Sequence, residues 1–472
     1  MEKSGIQKKL LENFSFTPTN DQQFLINRMS EFLGDDSEKK VFVLKGYAGT
    51  GKTSFIKTLV LTLPDCGYTF SLLAPTGRAA KVITDYTSVS ASTIHRCIYE
   101  ITPSKGGAIK VKLSTSKEER KIYIVDEASM ISSGDDKSLL KGRNLLDDLF
   151  SFVYAAKGCC IIFIGDTAQL PPVGEVNSIA LDENYIQRAF RTKVYSVELK
   201  EVVRQAEGSG ILMNATSLRI LIGKSANEPV LKSNGFNDVE QLFNDALKDS
   251  LEHHYGGKNS GETLIVCRSN KQANRYNNFI RSQLLGYDEA ISSGDRLMVV
   301  KNNYYWLEKD SNTGFIANGD IVRIKKVIST EKKFGFNFAN VIIEFLDYPG
   351  EGEIEVKLLL DTINSESPSL NQTEFKKLFD EVYNSFNKKI KANSRLANTY
   401  SDPYFNALQV KFSYAVTCHK AQGGQWPTVF VDPGYMNEAM YNTEYLRWLY
   451  TAITRATSRL LFVNFDEKYF RK

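Results

Sequence analysis

Long apolar runs are missing from this 472-residue chain, and so is any large excess of one charge. The opening stretch MEKSGIQKKLLENF holds no apolar core of the kind a secretory leader needs, and no later run is long enough to cross a bilayer. A soluble, cytoplasmic protein with no membrane partner is expected. The net charge is only +4, so bulk electrostatics do not announce nucleic acid, and an anionic partner has to be gripped by local clusters. Cysteine is sparse, with six residues that form no C-x-x-C pair and no Cys/His spacing suited to zinc. Cys159 and Cys160 sit inside the apolar CCIIFIG, which reads as buried thiols in a reducing compartment. Histidine is also scarce, at four residues.

What the chain does have is a recurring alternation. Short β-branched or aromatic runs, VFVLKG (41–46), FSLLAP (70–75), IYIVDE (122–127), IIFIGD (161–166) and VYSVEL (194–199), are separated by helix-like stretches. Apolar on both faces, they read as buried parallel strands. The pattern resumes with TLIVCRS (263–269), FSYAVT (412–417), TVFVD (428–432) and RLLFVNF (459–465), so two α/β sheets in tandem are expected. Two stretches interrupt it. Residues 101–121 are lysine-rich, with a Gly-Gly turn before the alternating AIKVKL, which predicts an exposed hairpin. Residues 320–410 begin with alternating strands and continue into a helix on which Phe375, Leu378, Phe379, Val382 and Phe386 share one face. That reads as a small β-domain with a helical arm, inserted in the second sheet.

The most specific motif is GYAGTGKT (46–53), which follows a strand and opens a helix, as a phosphate-cradling loop must. Gly46, Gly49 and Gly51 let the backbone turn inward around a β-phosphate, with Ala48, Thr50 and Ser54 completing the loop. Lys52 is placed to neutralise the β/γ oxygens, and the Thr53 hydroxyl to ligate Mg²⁺. IYIVDEAS supplies the rest: Asp126 for the magnesium shell and Glu127 to orient and deprotonate water. In GDTAQLPPV (165–173), Gln169 is a candidate sensor of the γ-phosphate, the bland reading being a polar turn stopped by two prolines. A GTPase would need N-K-x-D, and the nearest match, NKQA (270–273), has alanine where the carboxylate belongs. LYTAITRAT (449–457) offers Arg455 as an arginine finger reaching the γ-phosphate, against the alternative of a solvated surface arginine. Arg204 in EVVRQ is a second candidate finger.

The phosphate loop, APTGRAAK (74–81), STIHR (92–96), DEAS, GDTAQLPPV, VVRQ, VTCHKAQGGQW and LYTAITRAT occur in the order and spacing of superfamily 1 helicases, and the chain resembles the RecD/Dda-type branch over nearly its whole length. The resemblance implies two RecA-like parallel-sheet domains, residues 1–215 with a strand-splitting hairpin at about 98–121, and residues 216–472 with an SH3-like β-barrel at about 320–410. It implies ATP and Mg²⁺ as cofactors, single-stranded DNA and duplex junctions as partners, 5′-to-3′ movement, and a nucleoid-associated motor that is monomeric, with replication or repair proteins as candidate partners. By resemblance, Gln22 in TPTNDQQ reads adenine, and Pro75, Thr76, Thr93, His95, Thr417 and His419 touch the nucleic-acid strand. Lys81, Arg96 and Lys420 are candidates for phosphate neutralisation, and YYW (304–306) for base stacking, with packing in a core or interface as its rival. Gln422 and Gly423 are expected at the γ-phosphate, so that one loop feels both ligands. His419 capping a buried strand is the plain alternative. Rival functions are an RNA-directed motor of the same superfamily, a phosphate-loop switch that does not translocate, and an inactive scaffold.

Overall fold

The computed structural model describes residues 3–103, 109–116, 118–134, 144–203, 208–224, 228–256, 260–307 and 315–470. The first lobe is built on β1 (Lys40–Gly46), β2 (Thr69–Ala74) and β3 (Ala91–Thr93), then a two-stranded ribbon of β4 (Tyr99–Pro103) and β5 (Ile109–Leu113), then β6 (Lys121–Val125), β7 (Cys160–Gly165) and β8 (Lys193–Leu199). The second lobe follows with β9 (Val239–Leu242) and β10 (Thr263–Cys267). After these come β11 (Arg296–Val299), β12 (Ile321–Lys333), β13 (Phe336–Phe345), β14 (Glu353–Leu359) and β15 (Leu408–Phe412). The chain closes with β16 (Ala415–Thr417), β17 (Trp426–Asp432) and β18 (Ala456–Val463).

The first sheet has the order β3-β2-β6-β7-β1-β8 and the second β16-β10-β17-β18-β9, with all neighbours parallel. Parallel strands end on one edge, so every loop that follows a strand C-terminus opens on the same side of its sheet. This is why the motifs, scattered through the sequence, gather on two facing edges. Apolar clusters cover both faces of each sheet, as unbroken Val/Ile/Phe runs require. Cys159 and Cys160 are buried and unpaired. VYSVEL, expected to be buried on both faces, is the edge strand β8, and its burial alternates.

β4 and β5 pair antiparallel from Tyr99↔Leu113 to Pro103↔Ile109. The Gly-Gly turn between them lies outside the described residues. Strands β11 to β15 close into a barrel. It begins at Arg296, upstream of the expected 320, because β11 is only four residues long, an arginine and three apolar residues with no alternation to mark them. It ends inside the run FSYAVT: Phe412 pairs with Leu297 in the barrel, and Ala415 pairs with Ile265 in the second sheet. The arm helix Gln372–Ser385 buries Leu378 and Val382 against Phe336 and Phe338 of the barrel hairpin. In YYW, Tyr304 stacks on Phe315 and the Trp306 indole N–H donates to the Asn406 carbonyl at 2.8 Å, which favours packing for this stretch.

The barrel's root is fixed by a buried ion pair. Arg281 Nε and Nη2 donate to the two oxygens of Asp295 at 2.8 and 2.9 Å, and the Tyr414 hydroxyl donates to the same carboxylate at 3.1 Å. The carboxylate side chain is fully withdrawn from solvent. Asp295→Ala is expected to destabilise the chain by about 3–5 kcal/mol in denaturant unfolding, because it strands the guanidinium without its counter-charge. A loss below about 1 kcal/mol would mean the pair is not buried in solution.

Candidate nucleotide and nucleic-acid site

β1 delivers the chain into the phosphate loop, which turns on Gly49 (φ +75°) and Gly51 (φ +90°), a backbone region that L side chains rarely adopt. Gly51 caps the helix Lys52–Thr62 without a side-chain bond, leaving the helix's first amides to face the cleft. A Cβ on Gly46 would lie 2.9 Å from Thr50 Oγ1 and 3.0 Å from Lys52 Cγ, so the loop closes tightly over itself. Lys52 Nζ and Thr50 Oγ1 both donate to the Tyr47 carbonyl, at 2.9 and 2.8 Å. Gln22 is buried under this loop. Its Nε2 donates to the Thr50 carbonyl at 3.0 Å, and its Oε1 accepts the Thr19 N–H at 3.0 Å within a capping box. Gln22 thus braces the loop with the same amide that was expected to read a base.

The loop forms one wall of a 960 Å³ cavity between the lobes. From the first lobe it takes Gln22, Ala48, Gly49, Gly51, Lys52, Thr53, Ser54, Asp126, Glu127 and Gln169; from the second, Gly423 and Arg455. Gly46, Thr50 and Gln422 stand behind that surface rather than on it. Asp126 and Glu127 leave β6 at its C-terminal end, where Glu127 adopts φ +49°. Desolvation, then the neighbouring Glu127 carboxylate, pushes Asp126 up to about 7, with Lys52 acting in the opposite direction. Gln169 is buried, and its Oε1 has no hydrogen-bond partner. Arg204 lies outside the described residues.

Arg455 is 3% exposed, so the solvated-surface alternative does not hold. Its Nε donates to the Thr451 carbonyl at 3.0 Å and its Nη1 to the Gly424 carbonyl at 3.2 Å. The second lobe also grips the loop 166–171, which covalently continues β7. Arg447 Nη1 donates to the carbonyls of Thr167 (2.7 Å) and Gln169 (3.3 Å), and Gln422 Nε2 to that of Leu170 (2.8 Å). The Leu170 N–H donates to Thr451 Oγ1 at 2.8 Å. His419 bonds the Pro171 carbonyl; desolvation lowers its pKa, partly offset by Glu444 and by that bond.

The residues expected on nucleic acid lie at the same sheet edges, at the ends of β2, β3 and β16. Thr76 and Thr93 each cap a helix, accepting the N–H of Ala79 and of Arg96 at 3.2 Å. Pro75 precedes Thr76, Thr417 ends β16, and the His95 ring leans on Tyr99. Lys81 Nζ donates to the Leu346 carbonyl (2.6 Å) and Lys420 Nζ to Asn318 Oδ1 (2.7 Å), so both reach toward the barrel. Sequence reasoning missed Arg78 within APTGRAAK. Its Nη1 pairs with the buried Asp347 of the barrel at 2.6 Å, while its guanidinium covers the Trp426 ring at 5.0 Å. It also missed Arg447 and Tyr450, which share one helix face at i, i+3 spacing just before Arg455.

Two family models match the chain: one described as an AAA domain over residues 29–235, the other as a UvrD-like helicase C-terminal domain over residues 412–463. The chain is 26% identical to an uncharacterized protein of Acanthamoeba polyphaga mimivirus, covering 94% of this chain and 99% of that one. It is 28% identical to the ATP-dependent DNA helicase dda of Enterobacteria phage T4, covering 84% and 88%. It is 23% identical to the ATP-dependent RecD2 DNA helicase of Deinococcus radiodurans, covering 94% of this chain but 49% of that one. Among solved structures, a Pif1 helicase from Bacteroides in complex with ADP-AlF3 and ssDNA aligns over 97% of this chain and 95% of its own at 15% identity, with a TM-score of 0.48.

A carboxyl whose folded pKa lies above its unfolded value takes up a proton on folding between the two. Without nucleotide or metal, the Asp126 contribution to stability is therefore lost as pH rises from about 4 to about 7 and stays lost above. Asp126→Asn is expected to flatten that slope, gaining stability over the parent across this interval by up to a few kcal/mol in denaturant unfolding. Parallel pH profiles for the two chains would contradict the shift.

Proposed function

We propose that this chain, a superfamily 1 ATP-dependent DNA helicase of the RecD/Dda type, translocates 5′ to 3′ on single-stranded DNA and opens duplex ahead of it. One observation carries this reading: a single cavity is walled by Lys52, Asp126, Glu127 and Gln169 from one lobe and by Arg455 from the other. A cavity shared in this way changes shape whenever the lobes move, so nucleotide chemistry and lobe motion are coupled through the same side chains.

Within that reading, Lys52 leaves the Tyr47 carbonyl to neutralise the β/γ oxygens, and the loop amides hold the β-phosphate. The Thr53 hydroxyl and the Asp126 carboxylate are hard oxygen donors that would hold Mg²⁺ there. No group of three or more His, Cys, Asp or Glu side chains that would hold a metal exists among the described residues, which fits a cation bound mainly through its nucleotide. Bound there, Mg²⁺ would draw off charge from the phosphate oxygens. Glu127 orients and deprotonates water, and Gln169 offers its unpartnered Oε1 to that water. Arg455 exchanges two carbonyl partners for the γ-phosphoryl oxygens when the lobes close, with Arg204 as a further cation from the first lobe.

On the strand side, Pro75, Thr76, Thr93, His95 and Arg96 of the first lobe and Thr417 and His419 of the second would follow one sugar-phosphate backbone, with Lys81 and Lys420 beside it. His419 and Gln422 rest on the 170–171 backbone, whose neighbour Gln169 faces the nucleotide, so strand contact and γ-phosphate sensing share one loop. We take residues 1–215 and 216–472 as the two RecA-like domains, with the barrel inserted in the second, and the working unit as a monomer on junctions of single- and double-stranded DNA. No helix among the described residues is long and apolar enough to cross a membrane.

With ATP and Mg²⁺, a partial duplex carrying a 5′ single-stranded tail is expected to be unwound and one carrying only a 3′ tail to be left intact. Lys52→Ala is expected to unwind neither and to hydrolyse no ATP. Unwinding of the 3′-tailed substrate alone would reverse the proposed direction. Equal ATPase stimulation by RNA and DNA oligomers would remove the preference for DNA.

A further inference from the structure

Tyr450 takes no part in the roles assigned above, yet its hydroxyl joins the two lobes at the centre of the cleft. The side chain is buried in the second-lobe helix Thr443–Ile453, with 1% of the residue exposed. Its hydroxyl oxygen accepts the Ala48 N–H of the phosphate loop at 2.8 Å. Its proton is donated to Asp166 Oδ2 at 2.6 Å, while Asp166 Oδ1 accepts the Ala168 N–H at 2.9 Å. Burial and the adjacent Asp166 carboxylate hold the phenol well above its ordinary pKa, so the proton stays in place and the polarity of this chain of bonds is fixed. Ala48 follows β1 and Asp166 follows β7, neighbouring strands of the first sheet. One atom of the second lobe therefore bridges the two strand ends that frame the phosphates.

The next residue along, Thr451, supplies the carbonyl on which Arg455 Nε rests at 3.0 Å and the Oγ1 that accepts the Leu170 N–H at 2.8 Å. Any slide or twist of this helix against the phosphate loop carries Arg455 with it. We propose that Tyr450 is a positioning residue: its hydroxyl pins the helix that leads into Arg455 to the phosphate loop, so that the guanidinium meets the terminal phosphoryl group in a fixed register. The inference rests on Arg455 acting as the arginine finger. Ring packing alone does not set the register, because an apolar ring in an apolar slot tolerates small shifts, whereas two hydrogen bonds at one oxygen do not. Misplacement on the scale of an ångström is enough to slow a positioned step strongly.

The test compares Tyr450→Phe, Arg455→Ala and the double variant in steady-state ATP hydrolysis with saturating single-stranded DNA, with thermal unfolding alongside. Tyr450→Phe keeps the ring and is expected to melt within about 5 °C of the parent. Its kcat is expected to fall about tenfold, with KM for ATP within about twofold. On the Arg455→Ala background, Tyr450→Phe is expected to cause no further fall, because the register it sets no longer matters. An unchanged kcat in Tyr450→Phe overturns the proposal. So does an equal fold-loss on both backgrounds, or a large melting drop that takes nucleotide binding with it, since each marks a structural residue acting independently of Arg455. If Arg455→Ala itself turns over normally, the finger reading fails and this inference with it; that arm alone separates the two failures.

Discussion

The loop 166–171 belongs to one lobe by its covalent bonds and to the other by its hydrogen bonds. It leaves β7 of the first sheet, yet its carbonyls at Thr167, Gln169 and Leu170 and its Leu170 N–H are met by Arg447, Gln422 and Thr451 of the second lobe. Each of these bonds contributes modestly when made, and a buried partner left unpaired costs about 1–3 kcal/mol. The lobes therefore cannot separate at this point by degrees. They keep the loop docked, or they exchange its partners for water or ligand. A structure with that property has discrete arrangements, which is what converting a bound phosphate into a mechanical step requires.

The barrel makes this a three-body arrangement. Arg78, at the start of the helix Gly77–Thr87, pairs with Asp347 at the barrel's edge and lies over Trp426 at the start of β17. Lys81, one turn further on, reaches the Leu346 carbonyl. A Cβ on Gly423 would lie 2.8 Å from the Ala79 side chain, so the second-lobe loop sits against the same helix with no room to spare. The helix after β2 is thus braced by the barrel and by the second lobe together, at the edge where the strand contacts are proposed. Arg281 and Asp295 hold the barrel's root to the second sheet, so its motion and that of the second lobe are linked.

Much of this was legible in the chain because parallel strands declare themselves as apolar runs and their C-terminal ends carry the polar motifs. GYAGTGKT, DEAS and GDTAQL each follow such a run, and β1, β6 and β7 end where those motifs begin. What was not legible were features with no local pattern. Strand β11 is an arginine and three apolar residues, and only its pairing with β12 and β15 makes it part of a barrel. FSYAVT reads as one strand, but the chain changes sheet within it, because Phe412 and Ala415 have different partners more than a hundred residues away. Gln22 carries a base-reading signature, and one bond from each end of its amide, to Thr19 and Thr50, also braces the loop, a fact that depends on how the loop folds over it. Tyr450 and Arg447 lie in or just before a stretch whose arginine drew the attention, and their partners, backbone atoms of residues 48, 167 and 169 and the Asp166 carboxylate, lie hundreds of residues away in sequence.

The central claim is that Arg455 acts on the terminal phosphoryl group across the cleft and contributes to the transition state rather than to ground-state binding. A direct measurement is the affinity of the parent chain and of Arg455→Ala for ADP alone and for ADP with aluminium fluoride, a mimic of the phosphoryl group in flight. The account predicts near-equal binding of ADP by both chains and a large loss of the aluminium fluoride complex in the variant. Equal affinity of both chains for that complex would contradict it.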